Sequence, residues 1–331
     1  MRMLFHANEL SETGTSTSML EYAHWFAKRG HYVGIAYDQN SRLNNGQAVK
    51  QFQDLFDLYP YNNFYTFNRE HKSKFDFAYF IKAGEYDGKL LTGAKNAVHA
   101  VFQSYEPHGD SYAYVSKWIA SMMARDQQKF LPQFLRRKIP NFFTRLPDVP
   151  HFVNLPPRSS NLRSDWGIPE DAFVVLRYGS YTTFDIEWVQ RAVMDMVDSN
   201  PELYFVFINT RPFALHKRIK FLPITVEKQY KSDALASSDA FLHARAQGEC
   251  FSMALLEAMT STIPILSWSG GVDRGHTLVL DSNCFYKSKA QLETKINSLL
   301  RQDRKRYLHP SMMEYSEEKV MYRFTKVFIE D

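Results

Sequence analysis

Residues 243–258 read His243-Ala244-Arg245-Ala246-Gln247-Gly248-Glu249-Cys250-Phe251-Ser252-Met253-Ala254-Leu255-Leu256-Glu257-Ala258. Two glutamates, Glu249 and Glu257, stand seven intervening residues apart across what reads as a glycine turn running into a helix. The run before them, Ala240 to Ala244, has the short apolar character of a buried strand, and Ser252 to Met259 has that of a helix. A strand, a tight turn and a helix start make a seat for an anion. The first N–H groups of a helix have no internal partner, and the dipole there favours negative charge. A carboxylate beside such a seat suits hydroxyl groups, which it binds through charge-assisted hydrogen bonds. Phosphate and vicinal hydroxyls together describe a sugar nucleotide. The competing reading is an amphipathic helix with one exposed and one half-buried acid.

At 331 residues the chain is too long for one small core and suits two domains. Its 44% hydrophobic and 15% aromatic residues argue for a packed globular protein and against disorder. No stretch approaches the roughly 20 apolar residues of a membrane span. Two cysteines are too few for a disulfide framework or a thiolate metal site. The opening strand, Met3 to Ala7, has no apolar segment before it, so a cytoplasmic protein is expected. The net charge of +4 is mild and does not by itself point to nucleic acid.

Between Leu146 and Asp171 stand Pro147, Pro150, Pro156, Pro157 and Pro169, five of the 14 prolines, which forbid a continuous helix or central strand there. This connector divides the chain into 1–150 and 151–308, with a terminal segment 309–331. Before it, a helix with Leu20, Ala23, Phe26 and Ala27 on one face follows the first strand. Gly30 stops that helix before a second strand, Tyr32 to Tyr37. After the connector, strands are expected at Phe173–Tyr178, Leu203–Ile208 and Ile263–Trp268, and a helix at 187–197. Alternating strands and helices imply a parallel sheet covered on both faces in each half. In the last segment Ser311 and Glu314 have capping-box spacing, and Val320, Phe324, Val327 and Phe328 recur on one helical face.

The pair Glu249 and Glu257, with Gly248, Phe251 and Ala258, resembles the Glu-x7-Glu signature of glycosyltransferase family 4. Ser252 stands where that family usually has a second glycine. The resemblance implies an α/β chain of the GT-B fold: two Rossmann-like parallel-sheet domains facing a central cleft, the final helix crossing back to the N-terminal domain. It further implies that the first half takes the acceptor and the second the donor. Glu249 would lie by the transferred sugar and Glu257 would hold the ribose, with Gly248, Cys250, Phe251 and Ser252 forming the donor turn. Other segments agree: Arg29-Gly30-His31 before the second strand, Tyr114 to Ala120 near the end of the first domain, and Arg163 with Gly167-Ile168-Pro169 at the start of the second. A subset of the family carries Asn-Thr, then Lys, then His-Ala-Arg; here these are Asn209-Thr210, Lys231 and His243-Ala244-Arg245.

One departure matters. Where most of the family has Arg and Lys after the first donor-domain strand, this chain has Gly179-Ser180-Tyr181-Thr182-Thr183-Phe184-Asp185, with no cation. Arg211, Lys231 and Arg245 are the candidates to offset phosphate charge, since ligands of open α/β sheets bind beyond the carboxyl ends of strands. Each reads equally as a solvated charge. In the first loop, Gly14 lies between Thr13 and Thr15, a place where backbone amides approach a phosphate. The Gly-x-Gly-x-x-Gly spacing and the Walker lysine are both missing, which argues against NAD and against NTP hydrolysis.

His99 follows Asn96 at the expected end of an acceptor-domain strand, facing the cleft, where the family often has a catalytic histidine near the sugar. His108, on a loop after it, is the candidate acceptor contact. Either reads also as structural. No Asp-x-Asp occurs, so neither a metal nor any other cofactor is expected beyond the nucleoside-diphosphate sugar itself. Residues 117–146 interleave basic side chains (Lys117, Arg125, Lys129, Arg136, Arg137, Lys138, Arg145) with Trp118, Met122, Phe130, Phe134, Leu135, Phe142 and Phe143. This is read either as peripheral contact with an anionic membrane or as inward-packed aromatics under solvated charges, the second being preferred. No nucleic-acid recognition motif accompanies it.

The expected activity is metal-independent transfer of a sugar from a nucleoside diphosphate to a hydroxyl of a glycan or glycoconjugate, with retention implied by the resemblance. The alternatives are a sugar-nucleotide epimerase of the same fold and a catalytically silent sugar- or nucleotide-binding module. The oligomeric state is left open.

Overall fold

The computed structural model describes residues 1–129, 146–302 and 307–330. The chain divides into two compact units, Met1–Phe152 with Glu314–Asp331, and Val153–Met313. The first contains β1 (Arg2–Ala7), α1 (Gly14–Ala27), β2 (Tyr32–Asp38), α2 (Gly46–Gln53), β3 (Asp57–Tyr61), α3 (Phe64–His71), β4 (Phe77–Lys82), β5 (Lys95–Ala100), β6 (Ser111–Tyr114) and α4 (Lys117–Lys129). Its strands form one parallel sheet in the order β3-β2-β1-β4-β5-β6.

The second unit contains β7 (Phe173–Tyr178), α5 (Glu187–Ser199), β8 (Leu203–Ile208), β9 (Ile219–Leu222), α6 (Lys228–Ala236), β10 (Ala240–His243), β11 (Gly248–Glu249), α7 (Met253–Thr260), β12 (Ile265–Trp268), β13 (Asp273–Arg274), β14 (Phe285–Tyr286) and α8 (Lys289–Leu300). Its main sheet has the order β14-β12-β10-β7-β8-β9, so both units repeat one plan. The first strand lies central, and the chain builds to one side and then to the other. β4 and β7 are buried at every position, as parallel strands covered on both faces must be. The helix expected at 187–197 forms as α5, because Val189, Ala192, Val193, Met196 and Val197 recur at helical spacing and are all buried.

The proline-rich connector carries no helix or strand between Pro150 and Asn161. Side chains fasten it instead. Asp233 of α6 accepts hydrogen bonds from the backbone N–H groups of Ser159 (2.7 Å) and Ser160 (3.1 Å). Arg163 is buried, donates to the carbonyls of Ser237, Glu170 and Ala172, and pairs with Asp239 at 2.8 Å.

The terminal segment differs from expectation at its start. Ser311 and Glu314 lie in a 3₁₀ turn, Pro310–Tyr315, and form no capping box. The N-cap of α9 (Glu317–Phe324) is Ser316, whose hydroxyl accepts from the Lys319 N–H. Glu317 and Glu318 then place negative charge in the first turn, which the helix dipole favours. Phe324 packs on Tyr22 (4.9 Å between centroids) and Tyr79 (5.2 Å), and Phe328 packs on His99 at 5.3 Å. Val320, Phe324 and Phe328 are buried and Val327 is half-buried. Of the basic stretch 117–146, residues 130–145 lie outside the described residues. Trp118 is half-buried on α4 and Lys117 is exposed. Among the described residues, no helix is long and apolar enough to cross a membrane.

Of the buried histidines of this unit, His6 and His99 make its core acid-sensitive, and His151 beside His99, also held well below its usual range by burial, adds to them. Burial pushes His6 down to about 3, helped by the charges of Lys89 and Lys82. Burial pushes His99 to about 3 as well. Both stay neutral in the folded chain, whereas unfolding lets them bind protons below about 6.5. The unfolded state therefore gains protons first, and stability falls as pH drops from about 6.5 towards 3. The expected slope is about 1.4 kcal/mol per pH unit for each histidine. Urea midpoints measured at pH 7 and pH 5 should show this loss, and His99→Gln should flatten it. An unchanged slope in that variant would remove His99 from the account.

Candidate active site

In the second unit the chain leaves β7 towards β8 on one side, while β10 flanks β7 on the other. The crevice beyond the carboxyl ends of these two strands, Tyr178 and His243, is the place where a doubly wound sheet takes a ligand. The loop after β10 is shaped by glycines. Gly248 has φ +78°, and a Cβ there would lie 1.9 Å from the Asp273 carbonyl oxygen. It forms the two-residue ladder of β11 and β13, Gly248 opposite Asp273 and Glu249 opposite Arg274. Gly275 meets the loop from the other strand; its Cβ would lie 1.8 Å from the Cys250 carbonyl oxygen. Both contacts are with backbone, so no side-chain rotation relieves them. Gly248→Ala and Gly275→Ala should each lower stability by roughly 1–3 kcal/mol and displace Glu249. Denaturant titration checks the first effect and ligand calorimetry the second; two alanine variants with wild-type stability would contradict this packing.

That ladder presents Glu249. Its Oε1 lies 3.2 Å from His243 Nε2, and its Oε2 accepts from Arg245 Nη1 at 2.8 Å. Burial works to raise the pKa of this carboxyl. The hydrogen bond and charge of His243, with the Arg245 guanidinium, outweigh burial and hold it below the usual range. His243 Nδ1 is in turn 3.0 Å from Ser267 Oγ, which orients the ring. His276 is fully buried behind the loop. Its Nε2 lies 2.9 Å from the Trp268 carbonyl, so that nitrogen carries the proton, and Nδ1 accepts from the Glu249 N–H at 3.3 Å. Burial and the neighbouring His243 push it down to about 4, so it stays neutral and holds the Glu249 backbone.

Glu257, on α7, is only 1% exposed and accepts from Lys231 Nζ of α6 at 2.9 Å. Among the described residues, the buried Tyr178 hydroxyl makes no hydrogen bond of ordinary geometry. Burial raises its pKa, and the nearby Glu257 charge adds to the rise. Two of the three expected phosphate cations are thus each paired with one of the two glutamates, Arg245 with Glu249 and Lys231 with Glu257. Arg211, after β8, has an exposed side chain, and its N–H donates to the Tyr181 carbonyl at 2.8 Å. Ser252 caps α7, its hydroxyl accepting from the Leu255 N–H at 3.4 Å, so one N–H of the helix start is already satisfied. The Cys250 thiol is buried, and burial together with the Asp273 charge pushes its pKa up, so it is protonated and unreactive. Phe251, next in the chain, is half-buried.

Gly14, Thr15, His99 and His108 belong to the first unit. Gly14 opens α1, where the Thr13 hydroxyl bonds those of Thr15 (2.8 Å) and Ser11 (2.9 Å), and no acid stands in the first turn. His108 sits on the loop after β5, with Nδ1 2.5 Å from the Glu106 carbonyl and its ring 5.1 Å from that of Tyr86. His99 corrects the expectation of a side chain facing the cleft. It is fully buried, with Nδ1 2.7 Å from the Tyr79 hydroxyl and its ring packed at tilted or edge-on angles against Tyr22, His151 and Phe328. Its position one residue before the strand end puts it under the terminal segment.

Three contributors were missed from sequence: His276, Arg177 and the segment Gly270 to Gly275. The last carried a readable signal, since Gly270, Gly271 and Gly275 put three of the 14 glycines within six residues. Arg177 is taken up below. Among the described residues, no group of three or more His, Cys, Asp or Glu side chains is arranged to hold a metal ion.

No family model and no curated protein sequence matches this chain. Solved structures do match it over nearly its whole length. Anabaena HepE, in complex with UDP and glucose, superposes with a TM-score of 0.69 at 12% identity, over 99% of this chain and 95% of that one. WaaG, a glycosyltransferase involved in lipopolysaccharide biosynthesis, gives 0.59 at 16% identity over 98% and 96%. S. aureus TarM, in complex with fondaparinux, α-GlcNAc-glycerol and UDP, gives 0.64 at 11% over 99% and 100%. The fold is α/β with two Rossmann-like parallel-sheet units, and its structural neighbours are GT-B glycosyltransferases.

Proposed function

We propose that this chain is a glycosyltransferase similar to family 4, moving a hexosyl or pentosyl group from a nucleoside-diphosphate sugar to a hydroxyl of a glycan or glycoconjugate, with retention. The observation that carries this reading is Glu249. A carboxylate held ionised by His243 and Arg245 stands on a glycine-shaped loop beyond the β7–β10 switch point. There it is placed to accept sugar hydroxyls and to stabilise positive charge developing on the sugar. Glu257 is assigned to the ribose, sharing its carboxylate with Lys231. The cations Arg211, Lys231 and Arg245, with the start of α7, are assigned to the leaving diphosphate. Neighbours with the same fold were crystallised with UDP or UDP-glucose, which favours a nucleotide-sugar donor here. Two buried unpaired thiols, Cys250 and Cys284, suit a reducing cytoplasmic setting.

The test is a thermal-shift screen against UDP-, GDP-, ADP- and dTDP-sugars, followed by assay of nucleoside diphosphate release with glycan acceptors. A donor should raise the midpoint by mass action. Acceptor-dependent release marks a transferase; exchange of sugars without net release marks an epimerase, and binding without either marks a silent module. Run in excess EDTA, transfer should persist. Its complete loss, restored by Mg or Mn, would contradict a leaving group stabilised by N–H groups and cationic side chains alone.

A further inference from the structure

Arg177 is the fifth of the six residues of β7, Phe173-Val174-Val175-Leu176-Arg177-Tyr178, and is 4% exposed. Its Nη1 donates to the Asn209 carbonyl (3.1 Å) and the Thr210 hydroxyl (2.5 Å). Its Nη2 donates to the Ser180 carbonyl (3.0 Å) and the Thr183 hydroxyl (2.8 Å). All four acceptors are neutral. Arg163, Lys231 and Arg245 of the same unit each hold a carboxylate at 2.8–2.9 Å, whereas Arg177 makes no ion pair among the described residues. The acids whose fields reach it, Glu249 and Asp185, are engaged elsewhere: Glu249 with His243 and Arg245, Asp185 with the Ala246 N–H at 2.7 Å. A buried cation without a directly bound anion is costly, and a loop clamp alone is served by neutral donors.

Gly179 is the second observation. A Cβ there would stand 3.1 Å from Arg177 Nη2 and 3.4 Å from Cζ. Glycine therefore lets the backbone after β7 pass close beside the guanidinium without a side chain between them, at the carboxyl end of the central strand. The loops that Arg177 holds, Ser180–Thr183 and Asn209–Thr210, follow β7 and β8 at the same edge.

We propose that Arg177 adds a buried counter-charge, beside Arg211, Lys231 and Arg245, for the anionic group of the ligand at the β7–β10 crevice, taking the place of the cations missing after Gly179. On the function proposed above, on which this inference rests, that group is the diphosphate of a nucleotide sugar. With four guanidinium hydrogen bonds already made, Arg177 acts as a positioning residue. Its charge acts on the ligand from beneath the two loops it clamps, and those loops present their own groups to the phosphates.

The test separates charge from clamp. Arg177→Gln removes the charge, Arg177→Lys keeps it with fewer hydrogen bonds, and Thr183→Val removes one clamp bond only. Calorimetry on the full chain compares UDP, GDP and ADP with their nucleosides. Arg177→Gln should lose the preference for diphosphate over nucleoside by about tenfold or more, with nucleoside affinity unchanged. Arg177→Lys and Thr183→Val should keep most of that preference. An undiminished preference in Arg177→Gln overturns the proposal, as does an equal loss of nucleoside and diphosphate in Arg177→Gln and Arg177→Lys, which marks a clamp. Should the glutamine chain fail to fold, the other two variants decide, since loss of the preference with the charge retained refutes the assignment. Wild-type protein that binds none of these three nucleotides, nor dTDP, sinks the proposed function. Inorganic pyrophosphate then judges Arg177 alone: binding by wild type and not by Arg177→Gln supports it, and binding by neither, or by both, refutes it.

Discussion

Glu249→Gln should reduce sugar transfer by about 10²-fold or more while leaving nucleotide affinity near wild type. The substitution keeps the size and one acceptor oxygen but removes the charge that His243 and Arg245 stabilise. If that charge acts on the sugar as it departs, the loss appears in kcat and not in donor binding. Glu249→Ala should behave alike if the loop survives, which circular dichroism and a thermal midpoint establish. Wild-type transfer by a folded Glu249→Gln chain would show that the glutamate pair has been misassigned.

Glu257→Ala should be the most destabilising of the site variants. Lys231 is 14% exposed at its side chain and Glu257 only 1%, so removing the acid strands an ammonium in a dry pocket. Breaking one side of such a pair costs about 3–5 kcal/mol, whereas replacing both partners by groups of similar volume is often neutral. Urea denaturation should therefore rank Glu257→Ala well below the double variant Glu257→Gln, Lys231→Met. If Glu257 also serves the ribose, the double variant recovers stability without recovering affinity for the bare nucleoside, which a phosphate contact of Lys231 does not touch. Recovery of both would confine Glu257 to the core, and equal stability of the single and double variants would deny the pair its structural role.

These variants show where the sequence was informative. The strands at 173–178 and 203–208 and the helices α5 and α7 were legible because apolar periodicity and turn residues are local properties. The glycine turn before Glu249 was legible for the same reason. The start of the terminal helix was not: Ser311 and Ser316 both have cap chemistry, and the structure seats the helix on Ser316 after a 3₁₀ turn. His99 was misplaced because nothing near it in the chain states what covers it. The aromatic rings of Phe328 and Tyr22 do so from the terminal segment and from α1.

By itself the sequence determined the doubly wound architecture, the two glutamates and the absence of a cation between Gly179 and Asp185. Tertiary structure alone decided how the charges are matched. Lys231 meets Glu257 from 26 positions away, and Glu249 is held by His276 from 27. Arg177 makes no ion pair among the described residues and is held by neutral acceptors of two loops. Charge partnership depends on which strand ends the sheet order brings together, and on how much water each group loses there. Both follow from the assembled sheet, whereas helix, strand and turn preferences act over a few residues and are written in their neighbours.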